Sequence, residues 1–230
     1  MSWFVSYVRS SVGAKQIMAV TGLGLILFAL VHMIGHLGMF SGRDHYNAYA
    51  HFLQGLGGLK WIARGGLLAI FVVHMATGVS LARANAAARP QKYVVQRFTR
   101  TSFYARTMAL TGLVILAFIV YHLMHFTLGV VHKDDVALKA KASTAAWSGH
   151  DVYSMVLASF SKAPIAGAYI AFQVLLFLHL RHGLQSFAQT IGIHHGRYTP
   201  MIKTLAFLLA GLVAVGNISI VVFAMQKGAA

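Results

Sequence analysis

Two apolar runs of this sequence carry a histidine at the same place. The run that begins Thr21-Gly22-Leu23 reaches His32 eleven positions after its threonine, and the run that begins Thr111-Gly112-Leu113 reaches His122 at the same offset. Imidazole binds metals and carries protons, and an ionisable group inside an apolar helix is costly and usually functional. The matching offsets therefore predict two histidines that act on one ligand.

A second pair of histidines repeats in the same order. His74 and His179 each begin the pattern His-x-x-x-Gly, which ends at Gly78 and Gly183. The repeat unit is thus a pair of helices, with the first and second helices matched to the third and fourth. Equivalent histidines then lie at equal depth and face each other. The two glycines leave room for a flat ligand or, alternatively, allow close helix packing.

The four histidines fall at two depths. His32 stands 17 residues after Lys15, and His122 stands 16 residues after Arg106. At 1.5 Å per residue, both lie roughly 25 Å from the end that holds these cations. His74 stands only nine residues before Arg83, about 13 Å from that end. Its mate His179 should match it, which predicts two stacked sites about 12 Å apart.

Each of these sites offers two imidazoles and no carboxylate, which suits haem better than tetrahedral zinc. Two axial imidazoles leave iron no open position, so we predict electron transfer. The chain has no cysteine, which excludes disulfides and thiolate-held iron–sulfur clusters within it. Three further histidines in these helices, His36, His125 and His182, have no matching histidine in the repeat. We expect none of them to be a haem ligand, so their replacement should leave two low-spin haems.

Composition shows which elements must position these residues. Of 230 residues, 58% are hydrophobic and 10% charged, whereas soluble domains have about 25% charged residues. Five apolar runs are long enough to cross about 30 Å of hydrocarbon as helices. They cover residues 16–40, 61–82, 107–131, 164–190 and 201–225. We predict an all-α integral membrane protein, one domain over 1–230, whose helices 1–4 form a di-haem four-helix bundle from a duplicated helix pair.

The basic residues predict the orientation. The segment between the second and third helices carries six cations and no acid: Arg83, Arg89, Lys92, Arg97, Arg100 and Arg106. All four acids, Asp44, Asp134, Asp135 and Asp151, fall on the other side of the predicted membrane. By the positive-inside rule, the N-terminus faces the cytoplasm and the C-terminus lies outside. Anionic lipid or an acidic cytoplasmic partner would explain the net charge of +15.

Five segments resemble the di-haem cytochrome b membrane-anchor subunit of succinate dehydrogenases and fumarate reductases, of the single-chain, five-helix type found with menaquinone. They are TGLGLILFALVHMIGHLGMF, HYNAYAHFL, VVHMATGVSLARAN, TGLVILAFIVYH and HLRHGLQSFAQTIG. The resemblance implies that His74 and His179 ligate the haem b nearer the cytoplasm. It implies that His32 and His122 ligate the haem b nearer the outside.

The resemblance also implies partners and a location. In the bacterial cytoplasmic membrane, a flavoprotein would oxidise succinate to fumarate, and an iron–sulfur subunit would pass the electrons to this chain. The chain would carry them through both haems to a membrane quinone, with menaquinone expected, and would have no complete activity alone. No nucleic-acid partner is expected, and a higher oligomer of the complex stays open.

A quinone pocket is expected on the outer face. Fumarate-reducing relatives can use glutamate near this pocket and beside the fourth-helix ligand, but this chain has no glutamate, and Phe177 stands at the latter position. Quinone reduction takes up protons, and the segment 41–60 is rich in polar and protonatable residues. Its candidates are Asp44, His45, Tyr46, His51 and Gln54, of which Asp44 and His51 are preferred.

Three other functions stay open from the sequence. One is an anchor of a quinol:fumarate reductase that runs the reaction in reverse. Another is a transporter whose histidines relay protons or bind a metal; the scarcity of acids and the pairing of histidines by depth count against it. The third is a purely structural anchor whose histidines hydrogen-bond between helices.

Overall fold

Helices account for nearly all of the structure. The computed structural model describes residues 2–88, 91, 101–137 and 150–228, and 88% of these residues are helical, with no strand among them. The expectation of an all-α chain is confirmed. In chain order the helices are α1 (Trp3–Arg9), α2 (Ser11–Leu37), α3 (Arg43–Gly55), α4 (Gly57–Ala87), α5 (Phe103–His122), α6 (Lys133–Ala137), α7 (Val152–Phe160), α8 (Ala163–Thr190) and α9 (Thr199–Gly228).

Five of the described helices are long and apolar enough to cross a membrane, as predicted. A 3-10 turn (Gly38–Ser41) extends α2, and a π-helical turn (Leu123–Thr127) extends α5. With these extensions the five run over Ser11–Ser41, Gly57–Ala87, Phe103–Thr127, Ala163–Thr190 and Thr199–Gly228. The shortest has 25 residues, roughly 37 Å at 1.5 Å per residue, which exceeds a hydrocarbon core of about 30 Å.

Polar caps explain why these helices begin before the apolar runs do. At the start of α2, Ser10 Oγ accepts a 3.0 Å hydrogen bond from Gly13 N. At the start of α5, Ser102 Oγ accepts one of 3.3 Å from Ala105 N. Such caps satisfy main-chain donors that the first helical turn leaves unpaired. The helices therefore extend beyond the hydrophobic residues that predicted them.

The third membrane helix ends at Thr127, before the predicted bound at 131. Its last turn is π-helical, and the next residues turn sharply, with Gly129 at φ 67° and His132 at φ 52°. A Cβ at Gly129 would lie 2.7 Å from Val136 Cγ1, so the turn requires glycine. The chain leaves the helix axis here and continues into α6.

The helix pairs of the repeat pack in a matched way. α2 packs against α4, and α5 packs against α8. α2 also packs against α8, which joins the two pairs, while α4 and α5 meet less closely. α9 packs along α8 and α2. The arrangement groups α2, α4, α5 and α8 together, with the fifth membrane helix alongside.

The two ends of this helical assembly differ in their acidic residues, although both carry cations. The end where α2 finishes, which also holds α3, α6 and α7, carries all four acids of the chain, and we call it the acidic end. The opposite end, called the basic end, carries Lys15, Arg83, Arg106, Arg197 and Lys203. Four cations of the predicted basic segment, Arg89, Lys92, Arg97 and Arg100, lie outside the described residues. Which end faces the cytoplasm stays a prediction.

Side chains fill the acidic half more tightly than the basic half. The largest buried cluster includes Met39, Tyr46, Met155, Phe160, Tyr169 and Val221. α4 has no buried residue along its length. A groove of about 640 Å³ lies between α4 and α5, lined by α4 residues from Phe71 to Arg83 and by Leu116. The basic half therefore has space beside α4 that side chains do not fill.

Candidate functional site

Equivalent threonines hold the two histidines nearer the basic end. His74 Nδ1 lies 3.2 Å from Thr21 Oγ1, and the corresponding distance from His179 Nδ1 to Thr111 Oγ1 is also 3.2 Å. Each threonine hydroxyl also lies within hydrogen-bond distance of a main-chain carbonyl in its own helix, at 2.7 Å for Thr21 and 3.1 Å for Thr111. The two halves of the sequence repeat thus build the same local contact.

These hydrogen bonds select the tautomer of each ring. A threonine hydroxyl has one proton, and a carbonyl can only accept it. The hydroxyl oxygen is then left to accept a hydrogen bond from the imidazole Nδ1–H. Nε2 of His74 and of His179 keeps a free lone pair. A neutral imidazole whose other nitrogen is hydrogen-bonded is the usual state of a metal-ligating histidine.

Glycines beside these threonines make room for the same rings. A Cβ at Gly22 would lie 3.1 Å from His74 Cε1, and one at Gly112 would lie 3.3 Å from His179 Cε1. Both distances are tighter than ordinary contacts, so a larger residue would push the ring. In the sequence, the Thr-Gly-Leu segments only align the repeat, and no role is predicted for their threonines and glycines. Their identical position in both repeats was the available signal.

The later glycines of the even helices face methionine side chains. A Cβ at Gly78 would lie 3.0 Å from Met18 Cε, and one at Gly183 would lie 3.9 Å from Met108 Cε. The two methionines are themselves repeat mates, each three residues before its threonine. Methionine is flexible and adapts to its surroundings. The contacts agree with close helix packing, the alternative that the sequence left open for these glycines.

His32 and His122 face each other across the assembly, toward the acidic end. Their ring centroids are 5.9 Å apart, and the ring planes are at 82°. The structure brings together the two histidines that the repeat pairs.

His122 differs from the nearby histidines His36 and His125 in the hydrogen bonds of its ring. The buried Nδ1 of His122 has no hydrogen-bond partner among the described residues. His36 Nδ1 lies 2.5 Å from the Tyr46 hydroxyl, and His125 uses both ring nitrogens in hydrogen bonds to a tyrosine and a serine. A histidine with both nitrogens engaged has no lone pair for a metal. His122 is therefore the better candidate ligand of α5.

The two histidine pairs suit a metal cofactor that supplies the equatorial ligands itself. No group of three or more His, Cys, Asp or Glu side chains that could hold a metal ion occurs in the part of the chain that the structure describes. A haem takes only its axial ligands from the protein. Two imidazoles toward each end meet that need, whereas a protein-only zinc site requires four ligands. The residues present fit haem.

Arg181 lies within one turn of His179 and contacts aromatic rings. Its Nη1 donates a 2.5 Å hydrogen bond to the Tyr104 hydroxyl. The guanidinium carbon lies 4.4 Å from the Tyr104 ring centroid and 5.4 Å from that of Phe207. Its Nε is buried without a partner among the described residues. The Nε–H of Arg181 is thus available to bind an anionic group. The neighbouring residue His182 is half-buried.

The residues expected to contact the quinone lie on two different faces of α3. Asp44 and His51 are exposed, as are His45 and Gln54, whereas Tyr46 is buried. The structure therefore brings Tyr46, through its hydrogen bond to His36, toward His32, and it leaves Asp44 and His51 on the outer surface of the helix. Burial raises the pKa of the Tyr46 phenol, so this hydroxyl stays protonated.

A buried carboxylate that the sequence did not single out joins α3 to α7. Asp151 is 2% exposed and accepts hydrogen bonds of 2.6 Å from Arg43 Nη2 and 2.8 Å from Asn47 Nδ2. It also accepts one of 3.1 Å from Ser154 N, at the start of α7. Burial alone would raise the pKa of Asp151, but these hydrogen bonds outweigh burial and hold the pKa below its ordinary value. Asp151 is therefore charged at neutral pH.

Comparison of the chain with protein-family models, with curated protein sequences and with solved structures finds no match. Support for a function therefore comes from the residues themselves. These are the two histidine pairs, the threonines that hold one of the pairs, and the polar residues at the acidic end.

Proposed function

We propose that this chain is the di-haem cytochrome b membrane anchor of a succinate:quinone oxidoreductase in the bacterial cytoplasmic membrane. His74 and His179 would hold one haem b toward the basic end, and His32 and His122 would hold the other toward the acidic end. Haems with two imidazole ligands carry single electrons and leave no open position for a substrate. The chain would be the quinone-reacting subunit of the enzyme.

The hydrogen bond from each histidine of the basic-end pair to a threonine carries this proposal. Thr21 and Thr111 occupy the same position in the repeat and hold His74 and His179 at the same distance. An iron ligand must present an unprotonated nitrogen, and its other ring nitrogen is usually hydrogen-bonded. When the threonine proton is donated to the main-chain carbonyl, the repeated contact leaves Nε2 of both rings unprotonated.

The surrounding residues would keep these rings in an apolar environment. The helices present leucine, isoleucine, valine and phenylalanine on their outer faces, where Leu68, Leu110 and Leu208 are more than half exposed. In a bilayer these side chains contact lipid and keep water from the helix interior. The imidazoles then stay neutral, as ligation requires.

The basic end would receive the partners. It carries cations and no acid among the described residues, and a positive surface attracts an acidic protein surface. The expected partners are an iron–sulfur subunit that delivers electrons and a flavoprotein that oxidises succinate. Oriented in this way, the histidine pair nearer the basic end would be the one nearer the electron source.

The acidic end would hold the quinone, with menaquinone expected. Asp44 and His51 remain the preferred contacts because both side chains are exposed on α3 beside apolar groups such as Phe52, which is 62% exposed. A lipophilic quinone reaches such a surface from the bilayer. The same residues would serve a quinol:fumarate reductase that runs in the opposite direction.

Removal of the chain from the source cell tests the proposal. Without its anchor, the flavoprotein should leave the membrane, and succinate should no longer reduce membrane quinone. Succinate oxidation by an artificial dye should persist in the soluble fraction. Membranes that lack the chain and still reduce quinone with succinate at the normal rate would contradict the proposal.

A further inference from the structure

A cluster of polar side chains at the acidic end lies outside both histidine pairs. It forms where the end of α5, the turn before α6 and the N-terminal half of α8 meet. We call it the His125 cluster; its members are Tyr121, His125, His132, Asp135, Lys162 and Tyr169. Four of these six side chains belong to histidine, aspartate or lysine. Such a group of ionisable side chains is unusual in an apolar protein.

Asp135 has an oxygen without a partner. The residue is 4% exposed, and its Oδ1 accepts a 2.7 Å hydrogen bond from Lys162 Nζ, whose side chain is 46% exposed. Its Oδ2 is buried without a partner among the described residues. A buried carboxylate oxygen without a donor is costly. Oδ2 can therefore accept a further hydrogen bond.

His132 lies in the turn before α6 and contacts Tyr121 and His125. It is half-buried, its Nε2 lies 3.0 Å from the Tyr121 hydroxyl, and its ring centroid is 4.8 Å from that of His125. Its φ of 52° lies in the left-handed region, which is strained for a residue other than glycine and recurs at functional sites. Its carbonyl accepts a 3.1 Å hydrogen bond from Asp135 N. The turn thus holds the imidazole close to the ring of His125 and joins its main chain to that of Asp135.

His125 extends the cluster into the helical assembly. It is fully buried in the π-helical turn, a feature often found at functional sites. Its Nδ1 lies 3.0 Å from the Tyr169 hydroxyl, and its Nε2 lies 3.1 Å from Ser159 Oγ. The Tyr169 ring lies 6.0 Å from the ring of His122. Imidazoles and hydroxyls both donate and accept, so these groups suit stepwise proton transfer.

The charged and titratable groups around Asp135 come from three elements. Lys162 bonds its carboxylate from the residue before α8, His125 lies within electrostatic range at the end of α5, and His132 bonds its main-chain N–H from the preceding turn. His125 lies within electrostatic range of His132, Asp135 and Lys162. The nearby Asp134 on the same short helix is exposed. Asp134 therefore provides a matched control of the same chemical type.

We propose that the His125 cluster conducts protons from the aqueous phase at the acidic end into the protein, for the quinone reduction of the proposed function on which this inference rests. Reduction of one quinone consumes two electrons and two protons and forms two O–H bonds. Succinate oxidation supplies the electrons. Each proton comes from bulk water, enters at Asp135 or His132, passes to His125 and from there to a quinone oxygen, and a further proton from bulk water reprotonates the entry group. The cluster itself is neither oxidised nor reduced.

Asp135→Asn tests the entrance of this path in the assembled complex. Succinate-driven quinone reduction should fall on the order of 100-fold or more, the loss typical when a positioned proton-transfer group is removed. Haem content and dye-linked succinate oxidation should not change, and formate or azide should restore turnover by carrying protons. Asp134→Asn should match the wild type. A normal rate in Asp135→Asn, or a slow rate that weak acids do not restore, overturns the proposal.

His132→Asn tests the next group without changing the backbone, because asparagine adopts a left-handed φ readily. It should slow quinone reduction and increase the solvent deuterium isotope effect, and added imidazole should restore the rate. Loss of haem or of folding in both His132→Asn and Asp135→Asn would show a structural role and overturn the proposal.

An infrared measurement provides a readout other than turnover. The difference spectrum between oxidised and reduced complex should contain a carboxyl band that shifts in deuterium oxide and is absent from Asp135→Asn. If the wild-type complex holds no haem or does not reduce quinone, the proposed function fails, and this inference fails with it. If the wild type does both and the two variants behave normally, only the proton path is wrong.

Discussion

At the residue scale, the histidines differ in what their ring nitrogens contact. His74 and His179 each bond a threonine through Nδ1, whereas His125 uses both nitrogens in hydrogen bonds to other side chains. A ligand needs one free nitrogen. The hydrogen bonds therefore distinguish His74 and His179, which keep a free nitrogen, from His125, which does not.

The ligands should be separable by pair. Replacement of His74 or His179 by alanine should remove the haem toward the basic end, because a site with two imidazoles loses its geometry when either is absent. Replacement of His32 or His122 should remove the other haem. Low-temperature absorption and electron paramagnetic resonance spectra of each purified variant would distinguish the two haems.

The remaining histidines provide the controls for this series. Variants of His36, His125 and His182 should retain two low-spin haems. If His182 proves essential for haem and His179 does not, the alignment of the repeat is wrong by one turn. If one substitution at either level removes both haems in every case, the two sites are not independent.

Thr21 and Thr111 should affect how tightly His74 and His179 bind haem. Thr21→Val or Thr111→Val removes the acceptor of the imidazole Nδ1–H, and loss of such a partner typically weakens metal binding about 10-fold to 100-fold. Haem retention during titration with an apo-haem-binding protein measures this loss, and serine at the same position should restore retention. Thr77→Val is a matched control because, among the described residues, the Thr77 hydroxyl donates its hydrogen bond to the main-chain carbonyl of Val73 in its own helix. Equal haem retention in all variants would contradict this role.

At the element scale, α3 presents its polar residues on two faces with different surroundings. Replacement of Asp44 by asparagine or of His51 by glutamine should impair quinone reduction and leave both haems and dye-linked succinate oxidation intact. The physical reason is that these exposed side chains provide hydrogen bonds that hold the quinone and its proton. Steady-state assays with a water-soluble menaquinone analogue measure the effect, and His194→Gln at the basic end serves as the control.

One specific outcome would contradict a quinone site at the acidic end. If the Asp44 and His51 variants turn over normally while changes near the basic ends of α2, α4 and α8 abolish quinone reduction, the quinone binds at the basic end. The histidine pair toward the acidic end would then need another explanation.

The contact between α3 and α7 should depend on the charge of Asp151. Asp151→Asn removes a buried anion that bonds Arg43, and we expect a loss of about 1–3 kcal/mol in unfolding free energy. Since hydrogen bonds lower the folded-state pKa of Asp151, its contribution is present above the unfolded-state value near 4 and is lost as the pH falls below it. Thermal unfolding in detergent at pH 7 and pH 3 measures this loss, and Asp134→Asn is the control. An equal difference at both pH values would contradict the assignment.

Sequence reasoning identified the elements better than the contacts between them. Apolar runs reveal membrane helices because each helix must satisfy its own backbone in lipid, and the repeat reveals equivalent histidines. The bond from Arg43 to Asp151 joins residues 108 positions apart, which no local pattern encodes. The exact helix ends depend on caps such as Ser10 and on the turn at Gly129 rather than on hydropathy.

At the scale of the whole molecule, the ends of the protein have different tasks in the proposed function. The basic end carries cations that suit an acidic partner, while the acidic end carries the buried polar networks around Asp151 and His125. A histidine pair lies toward each end. Electrons that enter at one end and protons that enter at the other would meet at a quinone on the acidic side.

The haem content of the purified chain tests the central claim most directly. Haem extracted into alkaline pyridine has a characteristic absorption spectrum from which its amount per chain is obtained. The two histidine pairs predict close to two haem b per chain, with a reduced-minus-oxidised spectrum typical of low-spin iron. A value near zero in protein purified from cells supplied with haem would contradict the account.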